Sequence, residues 1–319
     1  MKPTGRFLTV SLNAAADVTY LTDGLQPGGE QSVRPVARVA GGKANNVARV
    51  AAALGHPAIA TGFSGGATGR FIEESLRSHG IDVSFVPVAG ESRTCITLVD
   101  PGGGSPTLLR EPGPTLTSAD ADRFLEQFRR LIRRVEFAVI SGSLPPGIPD
   151  DFYAELVSTA YRTAQVRCIV DARGAALRAV VPAQPYLVKP NLEELSEWAG
   201  RALATEEEIL SAARALMEAG PLVVAVSLGP RGLILLSPEG AWRAAPPAVR
   251  AVNTVGSGDS LVAGFVVGLL EGRSADQILR MAVACGTANA VTPGVGEVDA
   301  AVVAQLVRQV RVERLSPAR

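Results

Sequence analysis

The sequence is poor in the side chains on which many hydrolases, zinc proteins and secreted proteins depend. Its 319 residues include three cysteines, at positions 95, 168 and 285, with no C-x-x-C pair, so neither a disulfide framework nor a zinc site is predicted. Such widely spaced thiols indicate a reduced, cytoplasmic protein. The two histidines, His56 and His79, each follow a helical pattern near a glycine. That position favours the surface or a helix end and argues against a Ser-His-Asp hydrolase.

Neither an excess of one charge nor a membrane-length apolar run is present. Lysine and arginine together number 31, as do aspartate and glutamate. This balance gives no electrostatic reason to expect nucleic acid or an anionic membrane as a partner. The longest apolar run follows Asp259 and is shorter than the about 20 residues that a membrane span needs. No basic-then-apolar leader opens the chain.

Two common nucleotide-binding motifs are missing as well. The Walker-A pattern G-x-x-x-x-G-K-[ST] does not occur. Gly256-x-Gly258 is followed by Leu261, not by the third glycine of the dinucleotide motif, which argues against a dinucleotide oxidoreductase. What the chain does have is apolar content: 47% of its residues are hydrophobic, enough for a large core, and its length suggests roughly two domains.

One glycine turn opens the longest apolar run of the chain. Residues Asn253 to Ser260 read NTVGSGDS, and Leu261 to Leu270 continue as a predicted buried helix. Glycines let the backbone bend and approach a ligand closely, while unpaired helix amides and the macrodipole attract an anion. A carboxylate beside that turn, Asp259, suits phosphoryl transfer, in which it would accept a proton from the attacking hydroxyl. The alternative is that Asp259 only caps a core helix.

A second glycine turn, Gly41-Gly42, opens a second predicted helix that Gly55 ends. Its Lys43 offers a charge, and Asn46 offers both a donor and an acceptor to an anionic or hydroxylated ligand. The alternative is an ordinary helix start with a solvated lysine. Asp17 follows the first predicted strand, Phe7 to Leu12, and either solvates a loop or faces a ligand at the strand end.

The remaining pattern alternates strands and helices, except in two turn-rich segments. These segments, near 14–39 and 84–113, are predicted to form a small β lid, and residues 1–13, 40–83 and 114–319 the main α/β domain. Arg93 starts a strand in the second segment, where it either forks onto a phosphate or pairs with Glu91. From Gly258 onward the chain is predicted to be helical apart from the loop Thr292 to Glu297. We expect a mostly parallel sheet with helices on both faces and a small β lid.

These motifs together resemble the PfkB (ribokinase-like) carbohydrate kinases along nearly the whole chain. Asn253 to Asp259 is similar to the C-terminal motif of that family, and Gly41 to Arg49 to its N-terminal motif. The branch that phosphorylates sugar phosphates is the most similar: tagatose-6-phosphate, fructose-1-phosphate and fructose-6-phosphate kinases. The further matching stretches are Ser11 to Asn13 with Asp17, Ser92 to Ile96, Glu111 to Pro114, Ser141 to Pro145 and Lys189 to Asn191.

The resemblance implies a role for each matching residue. Asp259 would be the catalytic base, and Gly256, Ser257 and Gly258 would form the anion hole for the γ-phosphate of ATP. The substrate site would comprise Asp17, Gly42, Lys43, Asn46, Arg93 and Ser141. The nucleotide site would comprise Lys189, Asn191, Ser227, Gly229, Gly232 and Thr287. Asn191 and Glu194 would support Mg²⁺, and some members bind a monovalent cation, here K⁺ near Asn253, Val255, Asn289, Thr292 and Gly294.

The activity so implied is ATP-dependent phosphorylation of a ketohexose phosphate to a bisphosphate, with pairing of two copies through their lids. The alternatives are a kinase of an unphosphorylated sugar or nucleoside and a non-catalytic sugar-phosphate sensor. The chain departs from the pattern of the branch in three places: Ala14 replaces a proline, the pair Ala44-Asn45 replaces Gly-Ile or Gly-Val, and Cys95 stands where fructose-1-phosphate kinases tend to have asparagine. Asn45 either alters sugar preference or faces solvent.

Overall fold

The computed structural model describes residues 6–25, 28–102 and 106–315 and contains two sheets and ten α-helices in those ranges. In chain order the elements are β1 Phe7–Ser11, β2 Ala15–Thr22, β3 Val33–Gly41, α1 Lys43–Ala53, β4 Ile59–Ser64, α2 Gly66–Ser78, β5 Asp82–Val83, β6 Val86–Pro87, β7 Arg93–Val99, β8 Thr107–Arg110, α3 Ser118–Leu131, β9 Phe137–Ser141, α4 Phe152–Ala164, β10 Arg167–Asp171, α5 Gly174–Val180, β11 Leu187–Val188, α6 Leu192–Ala199, α7 Glu206–Glu218, β12 Val223–Ser227, β13 Leu233–Ser237, β14 Gly240–Ala245, α8 Ser257–Leu270, α9 Ala275–Ala290, α10 Ala300–Val307 and β15 Arg311–Leu315.

The larger sheet has the strand order β15-β14-β13-β12-β11-β10-β9-β1-β4-β5, and β6 pairs with β4. Its strands run parallel from β12 to β5, whereas β13, β14 and β15 pair antiparallel at one edge. Parallel strands end at the same edge of a sheet, and ligands of open α/β sheets bind there. Ser141 ends β9, Asp171 ends β10 and is its register partner, and Ser227 ends β12.

Helices cover both faces of this sheet, because alternate residues of its strands face opposite sides. In β9, Ala138 and Ile140 belong to the core beneath α3 to α7, while Phe137 and Val139 belong to the core beneath α1, α2 and α8 to α10. Both sets of side chains are fully buried. The predicted three-layer arrangement is thereby present in the structure.

Helix α8 lies against α9 at very short range, and this contact depends on a glycine. A Cβ atom built on Gly264 would lie 2.6 Å from the Cα atom of Ala282, closer than folded proteins allow. Val262 and Phe265 are buried on the same helix. At the start of α8, a Cβ atom built on Gly286 of α9 would lie 3.1 Å from the Ser257 carbonyl oxygen, so α9 also packs closely against the turn that opens α8.

The smaller sheet has the order β3-β2-β7-β8, with β2 parallel to β7 and the other pairs antiparallel. Its four strands come from the two turn-rich segments of the sequence. The predicted division into main domain and lid includes residues 1–5, 26, 27, 103–105 and 316–319, which lie outside the described residues.

Two sequence predictions about local structure are wrong. Asp17 does not follow β1 in a loop but lies inside β2, where its register partners are Val39 of β3 and Cys95 of β7. The C-terminal part is not helical throughout, since Arg311–Leu315 forms β15. Both strands depend on neighbours distant in sequence, and such pairing overrides local preference.

No helix within the described ranges combines the length and hydropathy needed to cross a membrane.

Candidate active site

The two predicted glycine turns both open helices in the structure. Gly42 precedes α1 with φ of 100°, and Gly256 precedes α8 with φ of 85°, a region of backbone space that favours glycine. A Cβ on Gly42 would lie 2.5 Å from Ser11 Oγ, and a Cβ on Gly256 would lie 2.6 Å from the Gly296 nitrogen. No side chain caps either helix. In α8 the Ser257 amide donates to the Thr254 carbonyl at 3.2 Å. No side chain occupies the other first amides of the two helices, which can donate to a bound acceptor.

Asp259 lies in the first turn of α8 and is joined to α1 by a buried hydrogen bond. Asn46 Nδ2 donates to Asp259 Oδ2 at 2.8 Å. The pKa of Asp259 is raised to about 6, mainly by burial, against the lowering effects of Lys43, the Asn46 hydrogen bond and Lys189, while Asp171 raises it. The carboxylate is bonded to α1 and does not cap its own helix, so the capping alternative is wrong.

Asp171 pairs with two lysines at the carboxyl edge of the sheet. Lys43 Nζ lies 3.0 Å from its Oδ1, and Lys189 Nζ lies 3.3 Å from its Oδ2. Burial acts to raise the pKa of Asp171, but the two lysines outweigh burial and hold this pKa below its usual value. Burial acts to lower the pKa of Lys43, but the attraction of Asp171, Asp259 and Glu194 outweighs burial and holds this pKa above its usual value. Asp171 and Lys43 are therefore charged at neutral pH, and Lys43 is not simply a solvated lysine.

Lys189 extends this charged cluster to the glycine turn. Its side chain is buried, and a Cβ atom built on Gly258 would lie 3.7 Å from its Nζ. A lysine at this position places a positive charge beside the first amides of α8, where an anion is favoured electrostatically.

Asp17 lies against the other glycine turn. Each of its carboxylate oxygens would lie within 2.3 Å of a Cβ atom on Gly41, so only glycine is accommodated there. The pKa of Asp17 is raised to about 6, mainly by burial, against the lowering effects of Arg49, Arg93 and Arg110 and a hydrogen bond from the Gly42 backbone. Asp17 thus contacts a turn that also leads into Lys43.

Arg93 begins β7 and faces the end of β1. Its Nε donates to the Asn13 carbonyl at 3.1 Å, and its Nη1 donates to the Glu111 carbonyl at 3.3 Å. Glu91 accepts from the Thr68 amide, not from Arg93, so the proposed pair of Arg93 with Glu91 is wrong. Arg93 lines a cavity of about 410 Å³ whose other walls are Asn13, Pro112, Ser143, Leu144, Pro145, Pro146, Gly147, Ile148 and Asp150.

The remaining residues of the predicted sites lie along the same edge or on α9. Ser141 is fully buried, and its Oγ has no hydrogen-bond partner among the described residues. Ser227 forms a parallel bridge with Asn191. Gly229 and Gly232, with φ of 59° and 90°, form the turn before β13. Thr287 donates to the Val283 carbonyl of its own helix, α9.

The two residues predicted to support Mg²⁺ form the N-terminal cap of α6. Asn191 Oδ1 accepts from the Glu194 amide at 2.8 Å, and Glu194 Oε2 accepts from the Asn191 amide at 2.9 Å. Within the described ranges, no cluster of three His, Cys, Asp or Glu side chains could hold a metal alone. The cap leaves Glu194 Oε1 for an ion or its waters. This fits Mg²⁺, which keeps several waters and takes one or two carboxylates together with phosphate oxygens.

The residues near the predicted K⁺ position are bonded to one another around the α8 turn. Asn289 Nδ2 donates to the Val255 carbonyl at 2.9 Å, and Asn253 Nδ2 donates to the Pro293 carbonyl at 2.9 Å. Thr292 Oγ1 contacts the Asn289 carbonyl at 2.8 Å. These contacts tie the loop after α9 to the glycine turn.

Sequence reasoning missed several residues that hold the site together. Asp171 bridges two lysines, and its local sequence gives no sign of this. Asn13 donates to the Pro112 carbonyl and to Ser143 Oγ, connecting β1 to both walls of the Arg93 cavity. Arg49 donates to Asn46 Oδ1 at 2.8 Å. The spacing of Asn46 and Arg49, three residues apart on one helix face, was the available signal for that pair.

Asn45 neither faces solvent nor points freely into the substrate turn. It is fully buried, and its Nδ2 donates to the Gly41 carbonyl at 2.8 Å. The expectation that it could face solvent is wrong. Its side chain instead bonds the backbone between β3 and α1.

Comparison with known proteins gives one family and a consistent set of solved structures. A family model described as pfkB family carbohydrate kinase matches residues 9–301. Phosphofructokinase-2 from Escherichia coli, solved in complex with potassium, is 31% identical with a TM-score of 0.89, covering 95% of this chain and 98% of that one. The same enzyme in complex with fructose-6-phosphate matches with 30% identity, a TM-score of 0.87 and the same coverage.

A protein from Thermotoga maritima described as a possible 1-phosphofructokinase is 28% identical, with a TM-score of 0.87, and covers 98% of this chain and 100% of that one. Ribokinase from Arabidopsis thaliana is 23% identical with a TM-score of 0.78, covers 96% of this chain and 99% of that one, and is similar in fold alone. The predicted ribokinase-like fold and the resemblance to the sugar-phosphate kinase branch are confirmed.

The ion pairs of Asp171 with Lys43 and Lys189 predict that removing the Asp171 carboxylate lowers the free energy of unfolding strongly. Asp171→Asn would leave Lys43 and Lys189 without their shared partner, and breaking a buried ion pair in this way destabilises by about 3 kcal/mol or more. Asp82→Asn is the matched control, because the Arg6–Asp82 pair is exposed and exposed pairs contribute about 0–1 kcal/mol. Urea denaturation measures both free energies of unfolding, and equal losses would contradict this assignment.

Proposed function

The chain belongs to the pfkB family of carbohydrate kinases, and we propose that it transfers the γ-phosphoryl group of ATP to a hydroxyl of a ketohexose phosphate, giving a hexose bisphosphate. One observation carries this proposal: Asp259 is a buried carboxylate with a pKa of about 6 in the first turn of an uncapped helix, hydrogen-bonded to Asn46. A base at this position stands beside amides that can bind the transferred group.

Asp259 is suited to accept the proton of the attacking hydroxyl. A pKa near 6 leaves the carboxylate mostly ionised at neutral pH and yet more basic than an exposed aspartate, as general-base catalysis requires. The Gly258 and Asp259 amides, which no side chain caps, would donate to the phosphoryl oxygens. In this proposal Gly256, Ser257 and Gly258 form the anion hole.

The cations around Asp259 oppose the negative charge of two phosphorylated substrates. Lys43 and Lys189 both flank Asp171, and Lys189 approaches Gly258. Mg²⁺, bound with ATP, would neutralise phosphate charge, and Asn191 with Glu194 would hold it through oxygen atoms. The nucleotide would lie along the strand ends that carry Lys189, Asn191, Ser227, Gly229 and Gly232, with Thr287 nearby. K⁺ near Asn253 and Asn289 is proposed from the potassium complex of the E. coli enzyme.

The substrate proposal rests on the residues between the two sheets. Asp17, Gly42 and Asn46 would bind the sugar hydroxyls, Arg93 its phosphate, and the unpaired Oγ of Ser141 a further polar group. The fructose-6-phosphate complex of the similar E. coli enzyme supports a sugar phosphate as acceptor. The stretches Ser92 to Ile96 and Glu111 to Pro114 are most similar to those of tagatose-6-phosphate kinases, so we favour tagatose-6-phosphate over fructose-1-phosphate and fructose-6-phosphate.

The smaller sheet would cover this substrate and exclude water, so that the sugar hydroxyl is the nucleophile. Val36 and Leu109 lie on its edge strands β3 and β8 with 46% and 51% of their surface exposed. Exposed apolar side chains on edge strands favour burial by a partner, and we propose a homodimer through this sheet. The three cysteines are free, which fits the cytoplasmic location that we propose.

A coupled ADP-release assay with MgATP tests the function. The three ketohexose phosphates and unphosphorylated fructose are compared at equal concentrations, and one phosphate is expected to give the highest kcat/KM. Turnover of fructose alone would identify a kinase of unphosphorylated sugars. Ligand-induced stabilisation without ADP release from any of the four compounds would instead identify a sensor.

Arg93→Ala tests how the sugar phosphate is recognised. Losing a charged hydrogen bond to a phosphate costs about 1.5–3 kcal/mol, so KM for the preferred sugar phosphate should rise by about 10- to 100-fold while kcat changes little. KM for MgATP should stay unchanged. Arg77→Ala, which removes an arginine from the exposed face of α2, is the control. An unaltered KM for the sugar phosphate would remove Arg93 from the site.

A further inference from the structure

Arg49 is a buried arginine to which the proposed reaction gives no role. It lies on α1 with only 6% of its surface exposed. Burial acts to lower its pKa, and the carboxylates that act against burial come from three other parts of the chain: Asp17 on β2, Glu297 in the loop after α9, and Asp259 on α8. A buried guanidinium is costly unless its charge and donors are used, so its contacts call for an explanation.

Its first contact determines which way the side-chain amide of Asn46 faces. Arg49 Nη2 donates to Asn46 Oδ1 at 2.8 Å. A guanidinium has donors and no acceptor, so the Asn46 atom facing it must be the oxygen. The amide nitrogen then faces Asp259, to which it donates at 2.8 Å. The orientation of this amide therefore follows from the chemistry of its two neighbours.

The orientation of Asn46 matters for a general base. A donated hydrogen bond stabilises the charged form of a carboxylate, whereas an acceptor facing the carboxyl stabilises the protonated form. With the nitrogen toward Asp259, Asn46 favours the ionised base. With the amide reversed, the oxygen would accept a hydrogen bond from a protonated Asp259 and would hold the base in its inactive state.

The second contact of Arg49 connects the same amide to the turn before α8. Arg49 Nη2 also donates to the Val295 carbonyl. The next residue, Gly296, donates from its backbone to Asn289 Oδ1 at 2.8 Å, and Asn289 Nδ2 in turn donates to Ser257 Oγ at 3.1 Å. Gly296 also lies directly against Asn46, since a Cβ built on it would be 2.7 Å from Asn46 Cβ. Arg49 thus contacts both the partner of the base and the loop that supports the anion hole.

We propose that Arg49 is a positioning residue that fixes the amide orientation of Asn46 and thereby keeps Asp259 ionised and able to accept a proton. The inference rests on the proposed function, because it assigns Arg49 to the same base. Arg49 does not contact the substrate in this scheme; it acts through Asn46. The other charged groups that act on Asp259 are Lys43 on α1, Asp171 at the end of β10 and Lys189 after β11.

The pH profile of kcat/KM separates this role from a purely structural one. The acid limb of the wild-type profile should have a midpoint near the Asp259 pKa of about 6. In Arg49→Gln and Arg49→Lys the midpoint should rise by about one unit, with activity recovering at higher pH. A structural role would lower activity at every pH and leave the midpoint in place. Since Lys keeps the charge, a shift in Arg49→Gln alone would indicate a through-space charge effect and overturn the positioning role.

Two further comparisons complete the test. Arg280→Gln removes another arginine that donates to a backbone carbonyl, that of Val310, and should leave the midpoint unchanged. In an Asn46→Leu background the Arg49 substitutions should shift the midpoint no further, because their effect passes through Asn46. An equal shift in both backgrounds would contradict the proposal. A wild-type enzyme without kinase activity would contradict the proposed function itself, which distinguishes the two failures.

A measurement on the wild-type protein keeps the proposal testable if the Arg49 variants do not fold. The side-chain NH₂ resonances of Asn46 should move with pH in a ¹H–¹⁵N spectrum, with a midpoint near 6, because the nitrogen faces the titrating Asp259. Resonances that do not respond over this range would show that the nitrogen does not face Asp259 and would overturn the proposed orientation.

Discussion

The site depends on one hydrogen bond, from Asn46 to Asp259, between helices that are far apart in sequence. The two residues are 213 positions apart and both are buried. Each lies in the first turn of a helix opened by a glycine with positive φ. The bond therefore fixes the two glycine turns relative to each other, and with them the residues proposed to bind the sugar and the transferred phosphoryl group.

Charge balance makes this buried arrangement possible. Asp17, Asp171 and Asp259 come from three different elements, and an isolated buried carboxylate would be strongly unfavourable. Lys43 and Lys189 pair with Asp171, so that carboxylate stays ionised. Asp259 and Asp17 have no such direct ion pair among the described residues, and the pKa of each is raised to about 6 by burial. Asp171 is therefore a structural carboxylate that stays ionised, whereas Asp259 and Asp17 can change protonation near neutral pH.

Those features of the fold that rest on local sequence were predictable. Glycine turns, apolar strands and the helices they open follow from residue type and spacing, and the predicted three-layer sheet and the strand that begins at Arg93 are present. The position of Asp17 inside β2 and the existence of β15 were not predictable from the sequence, because both require a partner strand from elsewhere in the chain. The two errors have the same physical origin.

Within the site, the residues proposed to take part in the chemistry were predictable from the sequence. The residues that position them were not. Gly256, Asp259 and Asn46 stand in recognisable turns, whereas Asp171 and Arg49 act through contacts with distant residues. Asp171 is recognisable only when Lys43 and Lys189 are known to flank it. Arg49 resembles any other helical arginine until Val295 and Asn46 are seen to surround it. Long-range pairing, not residue type, distinguishes these residues.

The most direct measurement is the turnover of Asp259→Asn with saturating MgATP and the preferred sugar phosphate. Asparagine keeps the shape of the side chain and cannot accept the proton, so kcat should fall by about 10²- to 10⁴-fold, the usual contribution of a general base. The melting temperature should not fall, which would show that the fold is intact. A folded Asp259→Asn protein with kcat within about threefold of the wild type would contradict the assignment of Asp259 as the base.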